Sequence, residues 1–178
     1  NHRDLNRVDR RQRQMCIRDR NISYDTIKDY LSYFKESYLF FELDHFSYSF
    51  KEQKTLPAKI YSIDNGLRNA VSFKFTDDFG KLAENVVFLH LIKNGLDIFY
   101  WDNKHEVDFV VKNKDNSLIA INVTYISNIS ELNEREINGL LEFKEQFPKT
   151  KELIILTQDF EFEDKQIKYI PLWKWLLK

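Results

Sequence analysis

The run "GKLAENVVFLHLIKNG" is apolar on nearly every side of a helix over 81–94, with Gly95 as its C-terminal stop. The segments downstream of it leave few architectures. Three strands are read at 97–101, 106–112 and 118–125, and the polar turn near 114–116 joins the last two as a hairpin. Ser130 is the expected N-cap of a helix reaching Phe147, with Ile137, Leu140, Leu141 and Phe147 on one apolar face and Pro148 as its stop. The short apolar run "ELIILT" at 152–157 reads as a buried strand. "IKYIPLWKWLL" adds a last strand, with Pro171 near the first turn of a closing helix. Ahead of the apolar helix, "KIYSI" at 59–63 reads as a strand and Asp64 as the cap of a helix through "NGLRNA".

The N-terminus is set apart by composition. Seven of the nine arginines fall within 1–20, and "RRQRQMCIRDR" at 10–20 resembles the translation of a transposase-based sequencing adapter. "HRDL" at 2–5 fits the matching flow-cell primer in the same frame. We read residues 1–20 as an adapter-derived, disordered artefact and exclude them from fold reasoning. Their removal takes away seven basic and three acidic residues, leaving 20 against 25 and a formal charge of −5. A protein that binds nucleic acid mainly through phosphates needs a Lys/Arg surface, so any such surface here is local. The single cysteine, Cys16, also goes, and with it disulfides, thiolate zinc sites and a cysteine nucleophile. A cytoplasmic location is expected. The longest apolar run, "VVFLHLI", is far short of the roughly 20 residues of a membrane span.

Residues 21–58 read as a partial winged helix. Ser23 is an N-cap, Ile27, Tyr30, Leu31, Phe34, Tyr38, Leu39 and Phe41 recur at helical spacing, and "HFSYSF" begins to alternate as a strand does. The acidic and basic residues of this stretch nearly cancel, which favours packing or interaction over base readout. The polar stretch "KEQKTLPAK" at 51–59 marks the boundary to a second domain at 59–178.

Helix, three strands, helix, strand is an α/β order, and "KIYSIDNGL", "GKLAENVVFLHL", "FYWDNKHEVDFVV", "AINVTY" and "YIPLWKWLL" together resemble the C-terminal domain of unknown function carried by many prokaryotic AAA-type ATPases. The resemblance covers 22–178 and implies a restriction-endonuclease-like αβββαβ core, the PD-(D/E)XK nuclease fold. It also implies an upstream ATPase domain as partner. No phosphate-binding loop of the form G-x-x-x-x-G-K-[ST] occurs in this chain, so ATP belongs to that missing domain alone.

The resemblance places Asp108 at the fold's metal-ligand position and Glu84 at its helix acid. Strict period-two geometry puts Glu106, Asp108 and Val110 on one face of their strand, and Val107, Phe109 and Val111 on the other. Across the hairpin it aligns Asn122 and Thr124 with Asp108. Asn122 then stands where the fold wants a carboxylate, and Thr124 where it wants a lysine. Mg²⁺ prefers charged oxygens, and one lost preorganised electrostatic group costs about a hundred- to a thousandfold in rate. The expectation is therefore a catalytically inactive nuclease-fold module with vestigial Glu84, Asp108, Asn122 and Thr124, a weak Mg²⁺ site at Asp108 and Glu84 at most, and a role in protein interaction or DNA-associated regulation. Two alternatives stay open: an active Mg²⁺ nuclease with a displaced lysine such as Lys104 or Lys112, and a scaffold for ATPase oligomerisation. His45, His90 and His105 have no metal-ligand spacing.

Overall fold

A computed structural model describes residues 23–71, 79–164 and 166–177. The expectation for residues 1–20 lies outside them. The chain forms two compact units that divide after Phe40. In the first, α1 (Tyr24–Glu36) opens as expected on Ser23, whose hydroxyl accepts the Thr26 N–H at 3.1 Å. The continued helical spacing to Phe41 is not helix. Tyr38 takes a left-handed φ of 57° and the chain turns into β1 (Phe40–Leu43).

The second unit differs at its start from the sequence expectation. "HFSYSF" is irregular, and the polar boundary stretch is partly helical, as α2 (Phe50–Thr55). β2 (Lys59–Ser62) pairs with β1 in a two-stranded sheet. Asp64 caps α3 (Asn65–Val71) by accepting the Leu67 N–H at 2.8 Å. α4 (Phe79–Lys93) is the apolar helix, and Gly95 comes after it at φ 66°, a conformation glycine adopts without strain. β3 (Asp97–Asp102), β4 (Glu106–Lys112) and β5 (Leu118–Val123) form an antiparallel meander. Ser130 does not cap the next helix. It lies in a short 3-10 turn, and Asn133 caps α5 (Glu134–Gln146) instead, accepting the Arg135 N–H. β6 (Thr150–Thr157), β7 (Phe162–Asp164), β8 (Ile167–Pro171) and α6 (Leu172–Trp175) complete the unit.

The main sheet has six strands in the order β3-β4-β5-β6-β8-β7. β6 runs parallel to β5 and β8, and β7 is antiparallel to β8. Side-chain alternation divides the core between the two faces. Leu118 and Ala120 of β5, with Leu153 and Ile155 of β6, pack with Leu140 and Phe143 of α5. Ile121, Ile154 and Leu156 pack with Val87, Phe88 and Leu91 of α4. The fold is thus α/β with a mixed sheet between helices. No helix among the described residues is long and apolar enough to cross a membrane.

β4 breaks the alternation. Phe99 pairs with Val110 but Trp101 pairs with Val107, so two steps along β3 face three along β4. This bulge lets the adjacent Asp108 and Phe109 both point to the α4 side, while Val107 and Val110 share the α5 side. The strict period-two expectation fails at that step. α5 approaches the bulge closely through Gly139, where a Cβ would lie 2.4 Å from the Glu106 carbonyl oxygen. Gly139→Ala therefore lowers stability by about 1–3 kcal/mol, despite alanine's better helix propensity. A denaturant midpoint at or above that of the unmodified chain would contradict this close packing.

Candidate functional site

β2, α4 and β4 meet at a cluster of ionisable side chains. The Lys59 ammonium lies 2.5 Å from Glu106, 3.3 Å from Glu84 and 3.4 Å from Asp108. Its position is set by local structure: β2 alternates, so Lys59 and Tyr61 project to the same side. Tyr61 stacks on Phe88 of α4, with ring centroids 4.2 Å apart, and donates its hydroxyl hydrogen to Glu84 at 2.5 Å. The Lys59 ammonium also sits 5.5 Å from the centre of the Tyr100 ring, within reach of a cation–π attraction. Asn85, buried on α4, fixes β2 in place. Its amide accepts the Ser62 N–H and donates to the Ser62 carbonyl, both at 3.0 Å.

The electrostatics are those of an under-neutralised cluster. Burial acts to push the Lys59 ammonium down, but Asp108, Glu84 and Glu106 together override it and hold its pKa above the ordinary lysine range. Burial pushes Asp108 up, Lys59 and the Val123 N–H oppose this, and nearby Glu84 and Glu106 reinforce it, leaving the carboxyl at about 7. Glu136, in the first turn of α5, is also raised, by burial first and then by Glu106 and Glu84. Tyr61 is raised by burial and by Glu84, and stays protonated as a donor.

Of the four residues expected at the site, the structure brings Glu84 and Asp108 together. It places Asn122 on the other face. Asn122 is fully buried, shares its side with Leu118 and Ala120, and donates to the Glu136 carbonyl on α5 at 3.0 Å. Its side-chain oxygen accepts the Asp108 N–H at 3.0 Å, so the amide satisfies backbone at the β4 bulge. Thr124 lies just beyond β5, where its N–H continues the ladder to Leu156, and it makes no hydrogen bond to the cluster among the described residues. On β5 the groups facing the cluster are instead apolar side chains and the Val123 N–H, which donates to Asp108 at 2.9 Å. Among the described residues, neither Lys104 nor Lys112 is paired with these acids. Sequence reasoning misses Lys59, Tyr61 and Glu136 because their convergence depends on long-range packing of β2 and on the bulge. The alternation of "KIYSI", which puts Lys59 and Tyr61 on one side, is the signal that could have found two of them.

As arranged, the acids converge on an ammonium. No group of three or more metal-ligating side chains among the described residues is set to hold an ion. Mg²⁺ demands near-octahedral oxygens at about 2.0–2.1 Å, which this set, with Lys59 between its members, does not fit.

Two measurements test the cluster. Lys59→Met strands mutually repelling carboxylates and costs about 3 kcal/mol at neutral pH, the low end for a broken buried pair because Lys59 keeps some exposure. Acidification shrinks that loss as the acids protonate. A loss below about 1 kcal/mol at neutral pH would mark an ordinary surface pair. The second is linkage. The folded-state pKa of Asp108 lies above its usual 3.8, so its contribution is full below that value and is lost as pH rises toward about 7. Over that window Asp108→Asn flattens the decline in unfolding free energy, whereas an unchanged slope would place the titration elsewhere.

Comparison with known proteins adds a family but no activity. Residues 79–175 match the family described as a domain of unknown function, DUF4143, and residues 11–78 match a second domain of unknown function, DUF8612. The second match takes in part of the segment read as adapter-derived. The chain is 36% identical over 175 residues to an uncharacterized protein of Methanocaldococcus jannaschii, covering 88% of this chain and 37% of that protein. It is 29% identical over 160 residues to an uncharacterized protein of Haemophilus influenzae, covering 88% of this chain and 38% of that protein. The chain thus spans little more than a third of the length of these curated relatives. No solved structure matches.

Proposed function

The chain belongs to the family of the domain of unknown function DUF4143, and from its site we propose that it is a non-catalytic module with a restriction-endonuclease-like core, the C-terminal part of a prokaryotic AAA-type ATPase. The observation that carries this reading is the Lys59 ammonium among Glu84, Glu106 and Asp108, where a nuclease of this fold would need a metal ion. The order α4, β3, β4, β5, α5, β6 supports the fold. β5 offers the cluster neither a carboxylate nor a lysine, and that supports the loss of cleavage. In this reading the acids hold β2, α4 and β4 together and leave the domain to act by interaction or DNA-associated regulation within the longer protein.

A second reading is favoured by one observation. Lys59 is a lysine within reach of Asp108 and Glu84, and the cluster carries more negative charge than it neutralises. Moved outward, Lys59 would serve a Mg²⁺ nuclease as its displaced lysine.

The discriminating assay incubates the chain and its Asp108→Ala and Lys59→Ala variants with linear and supercoiled DNA and Mg²⁺ or Mn²⁺. Our reading predicts no cleavage by any of them above a buffer control. Cleavage by the unmodified chain that disappears in both variants would establish the displaced-lysine nuclease.

A further inference from the structure

The two edges of the main sheet are treated differently. Along β3, residues 44–46 close the edge: Tyr100 donates its N–H to the Asp44 carbonyl at 3.1 Å, and its carbonyl accepts the Phe46 N–H at 2.6 Å. Next to this bridge, the Asp102 N–H is taken up by the His45 ring at 3.2 Å. At the other end, β7 pairs only with β8, and no strand lies on its outer side among the described residues. All three of its residues are exposed.

An open strand edge presents backbone donors and acceptors to any extended chain, and proteins commonly blunt it with charge. On the outer strand and the residues leading into it the charge has one sign. The stretch "DFEFED" at 159–164 carries Asp159, Glu161, Glu163 and Asp164 around two phenylalanines. Glu161 is paired with Lys174 at 2.6 Å; Lys168 lies opposite Glu163 across the β7–β8 pair without forming an ion pair with it, and no described cation pairs with Asp164. Beside them lies a cavity of about 340 Å³, lined by Glu161, Phe162, Glu163, Lys168, Tyr169 and Ile170. Its Lys168 is engaged by Glu152 at 3.1 Å. Phe162 packs against Tyr169, with centroids 5.8 Å apart, yet remains 48% exposed.

We propose that the outer edge of β7 is a docking site for an extended, arginine- or lysine-bearing peptide segment of a partner protein, which pairs with β7 and places a cationic side chain against Phe162 and Tyr169, on the face that carries Asp164. The charge selects the occupant. Two copies of this edge would set acids against acids, and like charges directly opposite each other across strands are destabilising. A basic strand reverses that sign. Main-chain pairing supplies affinity, and alternate side chains supply specificity, as in other cases of strand addition. An aromatic face with the Asp164 carboxylate on the same side suits a guanidinium or ammonium. The inference is independent of the acid cluster on β4.

The test uses the whole chain and a fluorescent peptide alternating arginine with valine. Controls are a glutamate-for-arginine version and a version with prolines at the pairing positions. The site predicts saturable binding of the arginine peptide alone, with new hydrogen-exchange protection at the amides of 162–164. Glu163→Lys with Asp164→Lys weakens it by about tenfold or more, with unchanged melting. Equal binding of the proline peptide would reduce the effect to charge adsorption and overturn the site. So would binding without protection at β7, undiminished binding by the charge-reversed chain, self-association of the chain through this edge, or no binding at all.

Discussion

One ammonium organises the part of this molecule that most resembles a site. Lys59 comes from a short two-stranded sheet, Glu84 from the apolar helix, and Glu106 and Asp108 from the second strand of the meander. None of these elements lies beside all the others in sequence. Without a cation between them the acids would repel one another in a poorly hydrated setting. With Lys59 present they tie β2 and α4 to the sheet, and Tyr61 and Asn85 add hydrogen bonds along the same seam. Burial first, and then the excess negative charge of the neighbouring acids, shift Asp108 and Glu136 above the ordinary carboxyl range.

The β4 bulge is the second constraint, and it shows where sequence reading reaches its limit. Period-two alternation puts Glu106 with Asp108, and helix signals place Ser23, Asp64 and Gly95 at helix ends, all as the structure has them. These are local matters of capping and pleat. A single extra residue in β4 then reverses the faces downstream, and no local pattern in "EVDFVV" marks it. Asn122, expected as a defective ligand, satisfies the backbone that the bulge leaves unpaired. Gly139 lets α5 come close enough for this to happen. The failures at Ser130, at Tyr38 to Phe41 and in "HFSYSF" have a similar cause: packing and a left-handed turn, rather than periodicity, decide these short polar and aromatic stretches.

The relatives that the family match brings are uncharacterized, and the chain spans little more than a third of their length, so the site itself carries the functional argument. An α/β frame whose acids are tied up by a lysine is suited to a structural role. Ion pairing at Lys59 and the stacking of Tyr61 on Phe88 add to the stability of its apolar core. Under the function proposed above, activity and stability are in opposition at Lys59: the contact that ties β2 and α4 to the sheet occupies the space that a metal would need.

That opposition makes the protonation state of Lys59 the most direct measurement. Side-chain NMR of the lysine ammonium and its adjacent methylene, tracked through the alkaline range with Lys59→Arg used for assignment, reads it without reference to activity. The account predicts that Lys59 keeps its proton after the surface lysines have lost theirs. Titration of Lys59 together with them, or below them, would show that the acids do not hold it and would contradict its place as the cation of the cluster.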